Sequence, residues 1–149
     1  MFFEESGIWR DKLINNKFIN AVLDGSGFDY LDIEKNDFSK AVMEGYGFGN
    51  CTCRENIFKN TMISNGDLEN SSYIECDFEN AKIVETYIIK CQISDSNFTN
   101  TEIKGVKFEQ CIFSNIDFTS IKYENVTFED CQFENVTFTE QQKKDFGLE

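Results

Sequence analysis

The stretch DFENAKIVETYIIKCQISDSNFTNT, residues 77–101, contains the pattern that decides the fold. In it, every fifth residue is large and apolar, from Phe78 to Phe98. The same period continues outward in both directions without a break, over 28 positions between Phe3 and Phe138. A chain that is only 40% hydrophobic would not place apolar residues so regularly by chance. Phenylalanine itself recurs every twenty residues, at Phe18, Phe38, Phe58, Phe78, Phe98, Phe118 and Phe138.

A period of five residues fits neither an α-helix nor a straight β-strand. On a helix, five residues advance a side chain by ~140°, so that no apolar stripe forms. On a strand, an odd step points the next side chain toward the opposite face. Each group of five residues must therefore combine a short extended piece with a bend that takes the chain around a corner.

A second inward position lies two residues before each large apolar residue. Between residues 16 and 136 it is small or β-branched in 20 of 25 cases, and it is never charged. Because side chains two residues apart on a strand share a face, both positions point inward, and the other three residues face water. Four groups make twenty residues, so the pattern predicts square coils that pair as parallel strands ~4.8 Å apart.

Unbroken groups of five with a central Phe or Leu and a preceding Ala, Ser, Cys, Thr or Val resemble the pentapeptide repeat family. The resemblance covers roughly residues 16–140. It implies an all-β fold, a right-handed quadrilateral parallel β-helix, for which the length predicts about six to seven coils. Some early residues depart from the pattern, and we expect local bulging around them: Leu31, Asn36, Tyr46 and Asn56 at small inward positions, and Cys53 at a large one.

We expect three segments: an N-terminal cap at residues 1–15, the β-helix at residues 16–139, and a helical cap or tail at residues 140–149. The end coil of a solenoid exposes unpaired backbone, and Phe2 and Trp9 are candidates to cover the first coil.

The tail predicts a short helix that starts near Glu140. Thr139 suits its N-cap, Lys143 suits its C-terminal half and Gly147 suits its end. The apolar residues of the tail, Phe146 and Leu148, either cover the last coil or pair with a second copy of the chain.

Glycines recur one coil apart in the early coils, with Gly25 below Gly45 and Gly27 below Gly47. This stacking indicates corners that need positive φ angles. A phosphate-binding loop is disfavoured, because neither a lysine nor a helical pattern follows the glycines.

The net charge of −13 argues against binding nucleic acid or anionic lipid through a basic surface. The chain has no histidine, so it lacks the commonest general base and the commonest metal ligand. Acids stand at the N-terminus where a signal peptide needs bases, and no apolar run reaches the ~18 residues of a membrane span. We expect a soluble cytoplasmic protein without cofactor, metal or membrane contact.

Five of the six cysteines occupy small inward positions: Cys51, Cys76, Cys91, Cys111 and Cys131. Reduced core residues are the preferred interpretation, because a buried thiol behaves as a small hydrophobe and a catalytic cysteine would need a base. A disulfide between neighbouring coils stays open, since ~4.8 Å between Cα atoms falls inside the disulfide range.

Two outward patterns are candidate partner-binding sites. One is an apolar stripe in which Val22, Val42 and Met62 stack in one column. The other is an acidic surface on the C-terminal coils, formed by Glu109, Glu124, Glu129, Asp130 and Glu134. Four further outward apolar residues lie in the middle coils: Ile74, Val84, Tyr87 and Ile89. A merely solvated outer face and ordinary strand propensity are the alternatives.

We do not expect an enzyme, because the chain has no histidine, no insertion loop and no catalytic motif. The preferred hypothesis is a non-catalytic acidic solenoid that acts as a protein-interaction module, as a monomer or a C-terminal homodimer. The resemblance implies an alternative, since some pentapeptide repeat proteins mimic B-DNA, bind type II topoisomerases and confer fluoroquinolone resistance. That alternative is a DNA mimic that binds DNA gyrase or topoisomerase IV and modulates fluoroquinolone sensitivity. A structural spacer is a third hypothesis.

Overall fold

The computed structural model is a parallel β-solenoid of about six turns that ends in one short helix. It describes residues 11–25, 27–45 and 47–148 in full and the backbone of residues 7–9. Each turn passes through four faces of five residues. We number the faces 1 to 4 in the order in which the chain visits them, starting from the face of the phenylalanine ladder. The predicted four-sided parallel β-helix is confirmed.

Three of the four faces are parallel sheets among the described residues. The strands of face 2 are Val42–Glu44, Met62–Ser64, Lys82–Val84, Glu102–Lys104 and Lys122–Glu124. Those of face 3 are Gly7–Trp9, Gly27–Asp29, Gly47–Gly49, Asp67–Glu69, Tyr87–Ile89, Lys107–Glu109 and Thr127–Glu129. Those of face 4 are Lys12–Ile14, Asp32–Glu34, Thr52–Arg54, Ser72–Ile74, Gln92–Ser94, Ile112–Asp117 and Gln132–Thr137.

Face 1 is paired more sparsely than the others. Its lower coils are joined by isolated bridges such as Lys17 to Asp37 and Asp77 to Asn97, and its last two coils continue the long strands of face 4. At the corner that follows, the N–H of Ala41 donates to the carbonyl of Phe38 at 3.0 Å, and the same turn recurs one coil later from Thr61 to Phe58. A tight turn therefore replaces part of the strand on this face.

Every strand pair in the described residues has an offset of twenty residues. Asp32 pairs with Thr52, for example, and Ile93 pairs with Phe113. The local bulging expected in the early coils is therefore wrong for Leu31 and Cys53, because the strands beside them pair residue for residue. Tyr46 lies outside the described residues.

The expectation of bulging is also wrong for Asn36 and Asn56, which are both fully buried. The Asn56 amide donates to the Ile33 carbonyl at 2.7 Å, and its oxygen accepts from the Asn36 backbone N–H at 2.9 Å. The Asn36 amide in turn donates to the Leu13 carbonyl at 2.6 Å. Each asparagine satisfies backbone groups of neighbouring coils, so it fits the small inward site instead of distorting it.

The phenylalanine ladder forms one column of the core. Phe38 and Phe58 are almost completely buried, and their rings stack at 5.1 Å with an interplanar angle of 3°. Stacking of this kind continues down to Phe18 and up to Phe98, and the next step, to Phe118, is tilted by 55°. Rings from faces 3 and 4 meet this column edge to face, which is a favourable arrangement for aromatic pairs.

The corner residue at the end of each group of five has a positive φ in nearly every coil. Asparagine is the commonest residue there, as at Asn60 (φ 56°) and Asn80 (φ 56°), because its side chain tolerates the left-handed region. The prediction of positive φ is correct for Gly25 and Gly45, at 63° and 62°. Gly27 and Gly47 instead lie within strands.

The segment predicted as an N-terminal cap contributes two strands to the ladders. Gly7–Trp9 pairs with Gly27–Asp29, and Lys12–Ile14 pairs with Asp32–Glu34. The described part of this segment thus continues the coil geometry. The boundary at residue 15 stays a prediction, while Phe2 and the side chain of Trp9 lie outside what the structure describes.

The predicted C-terminal helix is confirmed and extends over Glu140–Phe146. Thr139 accepts from the Gln142 backbone N–H, the Gln142 side chain accepts from the Thr139 backbone N–H, and Gly147 ends the helix with a φ of 67°. Both halves of a capping box are therefore present.

The helix packs onto the last coils. The ring of Phe146 contacts Tyr123, Phe128 and Phe138 at centroid distances of 4.8, 5.1 and 5.9 Å. Gln142 is buried, and its amide donates to the Phe118 carbonyl at 2.8 Å. Phe146 thus covers the last coil, as one of the two predicted roles requires. Over the described chain, no helix has both the length and the apolar character needed to span a bilayer.

Candidate interaction surfaces

Most lysines on the outer faces join neighbouring coils through ion pairs. Lys104 reaches Glu124 at 2.8 Å, and Lys107 reaches both Glu109 and Glu129 at 3.0 and 2.9 Å. Hydrogen bonds to Glu129 and Glu109 raise the pKa of Lys107 to about 12. Three of the five carboxylates predicted as an acidic docking surface are thus engaged by lysines of faces 2 and 3.

The other two predicted carboxylates, Asp130 and Glu134, are exposed and lie on different sides of the last coil. Asp130 is at the corner that ends face 3, whereas Glu134 is on face 4. The five acids predicted as one surface therefore do not form a single patch.

A different acidic surface emerges when the charges are placed on the four faces. Faces 4 and 1 of the last four coils comprise residues 72–80, 92–100, 112–120 and 132–139, and they contain no lysine or arginine. We call this surface the acidic face. Its acids are Glu75, Asp77, Glu79, Asp95, Asp117 and Glu134.

The same two faces carry the opposite balance in the first three coils. Residues 12–20, 32–40 and 52–60 contain six bases and four acids. The junction between the two halves is marked by Lys59, which contacts Asp77 at 3.1 Å and Glu79 at 2.7 Å. All five lysines between residues 60 and 139 lie on faces 2 and 3. Charge is therefore segregated both along the rod and around it.

Amide side chains hold two carboxylates of the acidic face in place. Asn97 donates to Asp77 at 3.0 Å, and Asn115 donates to Asp95 at 2.9 Å. The side chain and backbone of Thr119 hold the pKa of Asp117 below its ordinary value. The surface is thus an ordered array of carboxylates, amides and hydroxyls.

The residues of the predicted apolar stripe stack in one column, as expected. Val22 pairs with Val42, and Val42 pairs with Met62 in the next coil of face 2. Val42 is 38% exposed, while Val22 and Met62 are half-buried. Lys82 follows in the same column, so the stripe ends after three coils.

The four other outward apolar residues are not brought together. Ile74 is on face 4, Val84 is on face 2, and only Tyr87 and Ile89 share a face. Of these four, Tyr87 is the most exposed, at 55%. They do not form a common contact site.

All six cysteines are free, and five of them are buried. Burial raises the pKa of Cys51 and of Cys76 to about 11, so both thiols stay protonated at neutral pH. Within the described chain, no three His, Cys, Asp or Glu side chains are grouped in a way that could hold a metal ion.

The predicted docking surface does not include the acidic face, because that prediction rests on the density of acids between residues 109 and 140 and not on the absence of bases. Three acids of this face lie within residues 75–79, and the other three occur singly in the coils above. The informative signal is the absence of lysine and arginine, and it becomes visible only when residues are grouped by face with a period of twenty.

The comparisons with known proteins agree with this architecture. The family described as "Pentapeptide repeat region" matches residues 67–146. No curated protein matches the chain. Among solved structures, a trypsin-treated variant of QnrB1, a plasmid-mediated fluoroquinolone resistance protein, aligns with a TM-score of 0.59 at 14% identity, covering 99% of this chain and 95% of that one.

A second trypsin-treated QnrB1 variant aligns with a TM-score of 0.50 at 14% identity and covers 96% of each chain. The pentapeptide repeat protein Rfr23 of the cyanobacterium Cyanothece 51142 aligns with a TM-score of 0.34 at 11% identity, covering 83% of this chain and 91% of that one. At these identities the likeness concerns the fold alone. The matched region spans more than half of the sequence, and the chain belongs to the pentapeptide repeat family.

Proposed function

We propose that this protein is a non-catalytic interaction module that binds a basic surface of a protein partner through its acidic face. The observation that carries the proposal is the complete absence of lysine and arginine from faces 4 and 1 in the last four coils. Lys59 pairs with Asp77 and Glu79 at the lower edge of this face. The exposed carboxylates above that edge keep a strong local potential, which attracts and orients a partner of opposite charge.

The acidic face is also rigid. Its backbone is fixed by hydrogen bonds between coils, such as Asp95 N–H to the Ser114 carbonyl at 3.1 Å. Its side chains are further ordered by the contacts from Asn97 and Asn115. A preorganised surface loses little conformational entropy on binding, which favours recognition by shape and charge together.

A cytoplasmic location is part of this proposal. Six free thiols in one small domain suit a reducing compartment, because disulfides form and persist mainly in oxidising ones.

Our second candidate function is a specific case of the first. In it, the protein is a DNA mimic that binds a type II topoisomerase. From the coil of Glu75 to that of Glu134 there are three rises of ~4.8 Å, or ~14 Å in all. B-DNA carries ~8 charges over that length, and the acidic face carries six acids. The fold that the chain shares with QnrB1, a fluoroquinolone resistance protein, supports testing this target first.

The test is supercoiling by DNA gyrase with and without a fluoroquinolone, over a range of protein concentrations. A DNA mimic should change the quinolone concentration that inhibits supercoiling, and the effect should weaken as salt is raised. The absence of any effect at micromolar protein would reject gyrase as the target while leaving other basic partners to be examined.

The docking surface is tested by two matched triple variants. Glu75→Gln, Asp95→Asn and Glu134→Gln remove three charges from the acidic face. Glu109→Gln, Glu124→Gln and Glu129→Gln remove three charges that face lysines on faces 2 and 3. Binding should weaken at least about tenfold in the first variant and much less in the second. Equal loss in both would mean that total charge, and not the acidic face, drives binding.

The apolar stripe is an independent candidate surface for an uncharged partner. Asp substitutions at Val42 and Met62 should abolish such binding and leave binding through the acidic face intact. A partner that is insensitive to salt and sensitive to these two substitutions would favour the stripe.

A C-terminal homodimer is our proposal for the assembly. Phe146 of the helix packs on Tyr123, Phe128 and Phe138, and Phe133 and Val136 of the last coil are also only partly buried. A second copy placed on this end would bury both. Light scattering after size exclusion should give twice the chain mass, and Val136→Glu should return the monomer, while a monomer at all concentrations would contradict the proposal.

A further inference from the structure

Three cysteines stack in consecutive coils at the start of face 4. The residues that follow them, Gln92, Ile112 and Gln132, pair in register across the three coils. Neighbouring Cα atoms in this column are therefore one strand spacing, ~4.8 Å, apart, which is inside the ~4.4–6.8 Å range of disulfides. The column is Cys91, Cys111 and Cys131, and all three thiols are free.

The environment of the column changes at the last coil. Cys91 and Cys111 are fully buried, whereas Cys131 is partly exposed. The Cys111 Sγ lies 3.2 Å from the Ile88 carbonyl, and the corresponding contact of Cys131, to the Phe108 carbonyl, has lengthened to 3.6 Å. The thiol at the end of the rod is thus more accessible than the thiol beneath it.

Position in the solenoid also decides which two cysteines can move close enough to form a disulfide. In-register side chains point the same way, so a disulfide needs one coil to tilt toward the other. Cys91 and Cys111 each belong to a coil that is hydrogen-bonded on both sides, as the strands at Gln92 and Ile112 show. Within the described chain, the strand after Cys131 pairs only with the coil beneath it. The terminal coil is therefore the one that can tilt.

We propose that Cys111 and Cys131 are an oxidisable pair that forms an intramolecular disulfide when the protein meets a peroxide. The thiolate of Cys131 attacks a peroxide oxygen, and the O–O bond breaks to leave a sulfenic acid and, for hydrogen peroxide, hydroxide. The Cys111 sulfur then displaces the sulfenic oxygen, the S–S bond forms, and water leaves. The two thiols supply the two electrons, and their two protons end in the water produced from the peroxide.

The reaction rate should depend on pH in a defined direction. Interaction with the Cys111 thiol and burial both raise the pKa of Cys131. Only the thiolate attacks, so the rate should increase about tenfold per pH unit near neutrality. The pair therefore responds to sustained oxidation and not to a brief pulse.

The consequence of the bond is local to the end of the rod. It ties the terminal coil covalently to the coil beneath it. The terminal coil also carries Phe138, on which the C-terminal helix packs through Phe146. Oxidation thus fixes the coil and the helix together at this end.

Peptide mapping tests the proposal, because trypsin cuts after Lys90, Lys107 and Lys122 and places the three cysteines on different peptides. The reduced full chain is treated with hydrogen peroxide at pH 8, alkylated and digested without reductant. We expect a peptide pair linked through Cys111 and Cys131 in the monomer fraction. Cys131→Ser and Cys111→Ser should each abolish it, whereas Cys91→Ser and Cys51→Ser should change its rate by less than about twofold.

The serine variants should fold, because serine occupies the same inward column at Ser71, and circular dichroism verifies this. Three results would overturn the proposal. These are a bridge between Cys91 and Cys111, a bridge between two chains, and the absence of any bridge when Cys131 has been oxidised to sulfinic acid.

Discussion

At the scale of single residues, several buried polar side chains join neighbouring coils, and the hydroxyl of Tyr73 does not. Asn36, Asn56, Ser71 and Thr61 all bond to backbone groups one coil away. Tyr73 is different, because its ring is buried and its hydroxyl has no hydrogen-bond partner among the described residues. The first group adds specificity to the stack, while the hydroxyl of Tyr73 costs stability.

We expect Tyr73→Phe to raise the free energy of unfolding by about 1 kcal/mol, because it removes an unsatisfied buried hydroxyl and keeps the ring. Chemical denaturation followed by circular dichroism measures the change. Tyr123→Phe is the matched control, because the Tyr123 hydroxyl donates to Asp145 at 2.8 Å. A loss of stability at position 73 equal to that at position 123 would show that the Tyr73 hydroxyl is satisfied.

Asn56→Ala should lower the free energy of unfolding by about 2–3 kcal/mol, because it leaves the Ile33 carbonyl and the Asn36 N–H without partners. Asn56→Ser should cost less, since Ser96 in the same column accepts from the Cys76 N–H at 3.1 Å. Thermal melting of the three proteins measures the order. Equal melting temperatures for the wild type and the alanine variant would contradict the bonding described.

At the scale of elements, the strands are short and gain their stability from stacking. Most have three residues, and their hydrogen bonds run to the coils above and below. The sequence period predicted this arrangement, because large and small inward residues recur without interruption. It did not predict that asparagine would fit the small site, since that depends on carbonyl groups one coil away that no local pattern identifies.

The C-terminal helix, by contrast, is predictable from local sequence alone, because its capping residues indicate where it begins and ends. Gln142→Ala should destabilise the protein by about 2 kcal/mol, because it breaks the capping box and the bond to Phe118. Gln141→Ala, one residue earlier and exposed, should change stability by less than about 0.5 kcal/mol. Urea unfolding monitored by tyrosine and tryptophan fluorescence measures both. Similar losses in the two variants would mean that helix propensity alone matters.

At the scale of the whole molecule, charge is organised by position on the rod. The total of −13 was evident from composition, whereas its distribution was not. On faces 2 and 3, Glu109, Glu124 and Glu129 pair with lysines, whereas on faces 4 and 1 of the upper coils the described ion pairs are those of Lys59 with Asp77 and Glu79 at the lower edge. Only the assignment of residues to faces separates the two kinds, and this assignment requires the corner geometry as well as the period.

The ion pairs between coils predict a fall in stability at high pH. Lys107 has a folded pKa of about 12, above the ~10.4 of an unfolded lysine, so its contribution is present below pH ~10.4 and is lost as pH rises toward 12. The melting temperature should decline across this interval, and Lys107→Gln should reduce the decline. Lys122→Gln is the control, because the described residues show no ion pair for Lys122. An identical decline in the wild type and Lys107→Gln would contradict this role.

The constant offset of twenty residues between paired strands determines how insertions and deletions alter the rod. Removing a whole coil shifts everything above it by one step along the axis and leaves each side pointing in its original direction. Removing a single group of five instead turns the upper part of the rod by a quarter revolution relative to the lower part. The acidic face would then be rotated by a quarter turn about the solenoid axis, while the core beneath it remained in register. Insertions or deletions of twenty residues therefore change the length of the rod alone. Insertions or deletions of five residues also change the direction in which its faces point.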